Sequence, residues 1–123
     1  MPSRVSVKEV DNLLPLKPLV FQVLLALADG ERHGWALVRD VQLRGGFERI
    51  MPGNFYRTLR AMLADGLIEE SGERREFREN DDERRRYFQL TPLGLAVAAG
   101  EARRLESVLL EARSKRLLPK SRS

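Results

Sequence analysis

Asn54, Arg57, Thr58 and Ala61 recur at a spacing of three and four residues, which places them on one face of a helix. Tyr56 and Arg60 flank that face. Arginine pairs bidentately with guanine, asparagine with adenine, and a threonine or alanine methyl group can meet the thymine methyl. Asn54 falls in the first turn, the part of a recognition helix that meets base edges. Phe55, Leu59, Met62 and Leu63 gather on the opposite side and are expected to point at a core. The same residue types also furnish an ordinary solvated helix face, so the order of the surrounding elements has to decide between the two readings.

Other candidate chemistry is sparse. Arg84, Arg85 and Arg86 have the charge to reach phosphates or a minor groove. Glu79, Asp81, Asp82 and Glu83 stand beside them and either repel DNA or are neutralised by those arginines. The acids lie in a loop with nothing to shield them, which disfavours the shifted pKa values that acid–base catalysis needs. With no cysteine and only His33, thiolate sites and multi-histidine metal centres are excluded, and little room is left for a nucleophilic triad. No catalytic residue, metal or cofactor is expected. Trp35 is read as core or interface, with an apolar effector pocket as the functional alternative.

The elements that would carry these residues follow from punctuation. Pro18 suits a first helical position, and the nearly continuous apolar stretch after it makes a helix buried on most sides, ended by Asp29-Gly30. A second helix opens at His33-Gly34 and runs to about Arg44; the third runs from Pro52 to about Asp65, with Gly66 as its C-terminal cap. Leu67–Glu70 and Arg86–Leu90 read as two strands joined by a charged segment whose composition keeps it in solvent. Three helices, a strand, a charged loop and a strand are the order of a winged helix-turn-helix. Residues 1–16 form an N-terminal extension with room for a short helix before Pro15, and the winged domain covers 17–91.

Thr91 and Pro92 mark a last helix, from 92 to 118, followed by a basic tail at 119–123. At 1.5 Å per residue it is roughly 40 Å long. Leu95, Ala98, Ala102, Leu105, Leu109 and Ala112 alternate in steps of three and four, the seam of a coiled-coil-like contact. The small winged domain has little surface to cover it, so a homodimer is expected. The fold class is therefore mainly α with a small β-hairpin, a winged helix-turn-helix plus a C-terminal dimerisation helix.

Charge supports this without proving it. The net value is only +4 over 123 residues, but residues 44–60 carry Arg44, Arg49, Arg57 and Arg60 against Glu48 alone. The apolar run at 19–28 is too short for a bilayer, and no secretory signal is visible, so a cytoplasmic protein without a membrane partner is the expectation.

Three strings resemble PadR-type transcriptional regulators: Leu24-Leu25-Ala26-Leu27 with His33-Gly34-Trp35-Ala36-Leu37; Pro52-Gly53-Asn54-Phe55-Tyr56-Arg57-Thr58-Leu59 with Leu63 and Asp65-Gly66-Leu67-Ile68; and Arg85-Arg86-Tyr87-Phe88-Gln89-Leu90-Thr91-Pro92-Leu93-Gly94. The resemblance spans about 18–118. It implies a dimeric repressor that binds a double-stranded DNA operator of its own or a neighbouring operon. It further implies phosphate contact by Tyr56, major-groove contact by Asn54, Arg57, Thr58 and Arg60, and release by a small aromatic or amphipathic effector. The single last helix is similar to that of the family's short class. A winged-helix module that binds protein instead of DNA is the alternative, favoured by the acidic wing.

Overall fold

A computed structural model describes residues 5–44, 52–71 and 86–119. Helix α1 spans Val7–Asn12 and is started by a capping box. Ser6 Oγ accepts the Glu9 N–H at 3.0 Å and Glu9 Oε1 accepts the Ser6 N–H at 3.0 Å. Helix α2, Pro18–Leu27, begins on proline and buries Val23, Leu24, Ala26 and Leu27. Strand β1, Arg32–His33, leads directly into α3, Gly34–Arg44, which contributes Leu37 and Val41 to the core.

Helix α4 covers Pro52–Ala64 and buries Phe55, Leu59 and Met62. Its end is a Schellman motif: Gly66 has φ +78°, its N–H reaches the Leu63 carbonyl, and the Leu67 N–H reaches the Met62 carbonyl. Strands β2, Ile68–Glu70, and β3, Tyr87–Leu90, follow. The sheet is antiparallel in the order β1-β3-β2, with Arg32 opposite Phe88 and Ile68 opposite Leu90. The expected hairpin thus gains a third strand, because two residues are enough to pair with β3 but too few to show a period. The charged segment between β2 and β3 lies outside the described residues.

Helix α5 runs from Pro92 to Ser114, four residues short of the expected end. Arg116 takes a left-handed conformation, φ 65°, and the Leu117 N–H bonds back to the Ala112 carbonyl. The stop is again a Schellman turn, but with arginine where glycine would have announced it. At its start, Thr91 Oγ1 accepts the Gly94 N–H at 2.9 Å and donates to the Gly66 carbonyl.

The N-terminal segment is fastened to α5. A Cβ at Gly100 would stand 2.9 Å from Val10 Cγ1 and 3.2 Å from Leu14 Cδ1, so its absence is what lets α1 lie close. One residue on, Glu101 is buried; it accepts the Leu16 N–H at 3.4 Å and two bonds from Arg104 at 2.8 and 2.7 Å. The Arg104 bonds hold the Glu101 carboxyl below its ordinary value, against the opposing effect of burial.

Candidate nucleic-acid interface

Burying Phe55, Leu59 and Met62 leaves Gly53, Asn54, Arg57, Arg60, Ala61 and Ala64 exposed along α4. Two long cations therefore rise between residues with little or no side chain, so the helix backbone can approach a groove closely. Asp65, the first acid after them, lies beyond the last helical turn. Arg57 Nη1 lies 3.4 Å from Asn54 Oδ1, so these two side chains share one face.

Thr58 sits differently from its helical neighbours. It is half-buried on the flank, and its hydroxyl donates to the Asn54 carbonyl at 3.0 Å. Tyr56 is half-buried as well, edge-on to Phe55 with ring centroids 5.5 Å apart. Gly53 and Ala64 join the exposed face without having been expected there. Projecting the helix at 100° per residue and counting small residues as part of the face would have found them.

Arg86 is placed at the base of the wing. Its Nη1 donates to Glu70 Oε2 at 3.0 Å across the strand pair. Arg84 and Arg85 lie outside the described residues, so the trio is not seen as a unit.

Trp35 lies at the surface, outside the core. The residue is 47% exposed, its ring stacked on His33 at 5.8 Å, with the Arg39 guanidinium 5.1 Å from the ring centroid. His33 in turn contacts Tyr87 of β3 at 3.7 Å between centroids, so this aromatic row ties α3 to the wing. The row supplies the packing role of His33.

The seam residues of α5 divide. Leu95, Ala102 and Leu109 are exposed; Ala98, Leu105 and Ala112 are half-buried. Ala98 packs against this chain's own core. Ala102, Leu105 and Leu109 instead line an open groove of about 570 Å³ with Leu110 and, from α2, Phe21 and Leu25. Val108 and Leu110 are exposed beside them at 50% and 60%. Phe21 and Leu25 were not expected in this surface, since periodicity within α5 says nothing about which helix runs beside it.

Among the described residues no group of three or more His, Asp or Glu is arranged to hold a metal ion, and no helix is long and apolar enough to cross a membrane.

Comparison with known proteins agrees with the geometry. Residues 23–99 match the transcriptional regulator PadR-like family. The transcriptional regulator Rv3488 of Mycobacterium tuberculosis is 35% identical over 89 residues, 72% of this chain and 77% of that protein. In fold, a PadR family transcription regulator of Clostridium difficile superposes with a TM-score of 0.65 at 18% identity, over 80% of this chain and 97% of the other. A PadR-like regulator of Bacillus cereus gives 0.64 at 18% identity, over 92% and 99%. Family match, sequence relative and fold agree: the chain belongs to the PadR-like family of DNA-binding transcriptional regulators, which are not enzymes.

Proposed function

We propose that this chain is a dimeric, sequence-specific repressor that reads an operator with α4. The observation that carries the reading is the exposed face of α4, where Asn54, Arg57 and Arg60 alternate with small residues and no acid intervenes. Arg57 and Asn54 read base edges, Arg60 works at the groove edge, and Tyr56 contacts phosphate. Thr58 contributes its methyl group and sets the Asn54 turn, since its hydroxyl is held by the backbone. Arg86 steadies the wing; Arg84 and Arg85 are the wing's phosphate contacts.

The α2–α5 groove takes α5 of a second copy, with Leu105 and Leu109 at the centre and Leu95 and Ala112 at the ends of the seam. Residues 17–91 act as the reading domain and 92–118, helical to Ser114, as the dimerisation segment. Control is of the chain's own or a neighbouring operon, in the cytoplasm, and a small amphipathic effector releases the DNA.

Selection from randomised duplexes tests the reading. The expected product is an inverted repeat whose half-sites are about one helical turn, roughly 34 Å, apart. Recovery of unrelated sequences, or of none, would favour a winged-helix module that serves a protein partner.

A further inference from the structure

Beside α4 lies a cleft of about 280 Å³ that adjoins the reading face only at Thr58 and Ala61. That volume is near the lower end of small-molecule sites, roughly 300–1,000 Å³. Leu13, Pro15, Leu16 and Val20 form one wall, and Met62 and Leu67 part of the other. Thr58 and Ala61 bring the flank of the reading helix to its edge. The N-terminal wall is held from behind, because Leu16 donates its N–H to buried Glu101 and that carboxylate is clamped by Arg104.

Two charges line this apolar cleft, Lys17 from the N-terminal side and Asp65 from the end of α4. Both are exposed, and neither forms an ion pair with the other or with any described residue. Each also stands at the helix end of its own sign. Lys17 precedes the positive end of α2 and Asp65 follows the negative end of α4. Neither charge is therefore compensated by its own backbone, and each favours a counter-charge from outside.

We propose that this cleft binds a small zwitterion with an apolar body, the chemical class of the hydrophobic amino acids. Its carboxylate faces Lys17, its ammonium faces Asp65, and its side chain lies on Leu13, Leu16, Val20 and Met62. A ligand with one charge leaves one pole unmet; a purely apolar one leaves both. The site gives a regulator a metabolite input next to its reading helix. That consequence rests on the proposed role of α4, whereas the binding itself does not.

The test is a methyl NMR titration of the full chain, without DNA, by L-phenylalanine, phenethylamine and 3-phenylpropanoate. Saturable shifts confined to the methyl groups of Leu13, Leu16, Val20, Met62 and Leu67 are expected with L-phenylalanine. Each single-charge analogue binds about tenfold more weakly, the loss of roughly one charge-assisted hydrogen bond. Asp65→Asn brings L-phenylalanine and 3-phenylpropanoate to equal affinity, and Lys17→Met does the same for L-phenylalanine and phenethylamine. Both positions are exposed, so both variants fold. Absence of saturable shifts at these methyl groups, or three ligands of equal affinity, overturns the proposal and leaves the assignment of α4 untouched.

Discussion

Gly94 in the first turn of α5 lies against the backbone of Leu67, so closely that a Cβ there would overlap the Leu67 carbonyl oxygen. The same carbonyl accepts the Thr91 N–H at 3.2 Å, and the Thr91 hydroxyl bonds the Gly66 carbonyl at the end of α4. The end of α4 and the start of α5 are thus one joint. In a dimer built on α5, this joint sets the distance and angle between the two copies of α4. Gly94→Ala forces it open at a cost of about 1–3 kcal/mol, the range for overpacking a close contact. A lowered thermal midpoint by circular dichroism is expected, with loss of preference for one half-site spacing in whatever fraction stays folded. An unchanged midpoint would mean the joint yields freely.

Base reading and phosphate contact separate by mutation. Arg57→Ala should cost about 1–3 kcal/mol at one base pair and relax preference there. Tyr56→Phe removes one hydroxyl and should weaken binding evenly across sequences. Anisotropy against a panel of single-base operator variants distinguishes the two patterns. Identical profiles for both variants would place neither residue where α4 puts it.

The buried carboxylate makes stability depend on pH in a stated direction. Arg104 holds Glu101 below its ordinary value of 4.5, so its contribution is complete above that value and is lost as pH falls through the lower folded one. Glu101→Gln should lower the thermal midpoint at pH 7 by about 5 °C, on the scale of a charge-assisted hydrogen bond. As pH falls through that lower folded value and the wild-type carboxylate takes up its proton, the two proteins should converge. Melts at pH 7, 5 and 3 check this; a gap that stays constant would exclude the carboxylate as its source.

Dimerisation through the α2–α5 groove is tested by Leu105→Glu with Leu109→Glu. Leu109 is 45% exposed in one copy, so a charge there is tolerated by the monomer and not by a closed interface. Sedimentation should report a monomer that retains its helical signal. A dimer of unchanged affinity would place the interface elsewhere.

The parts legible in the sequence are those with local chemical punctuation. Pro18, Pro52, Gly66 and the Thr91-Pro92 pair mark helix ends that the structure places within a residue or two, and helical spacing sorted Phe55, Leu59 and Met62 from Asn54 and Arg57. What escaped depends on contacts far along the chain. Strand β1 exists only because β3 is beside it. Gly100 reads as a helix-weakening residue until Val10 and Leu14 are packed over it. Thr58 shares the spacing of Asn54 and Ala61, but spacing does not reveal that the segment at 13–17 lies along its flank or that its hydroxyl donates to the Asn54 carbonyl. Phe21 and Leu25 enter the groove because α2 runs beside α5, which no period within either helix reveals.

Sequence-specific DNA binding is the claim on which the account turns. Its most direct test is fluorescence anisotropy of the gene's own upstream region and of random duplexes of equal length, across a salt series. Binding to the upstream fragment should be about a thousandfold or more tighter than to random DNA, and should fall steeply with salt by a slope of about 0.9 per phosphate contacted. Equal affinity for every fragment, or a curve flat in salt, would contradict it.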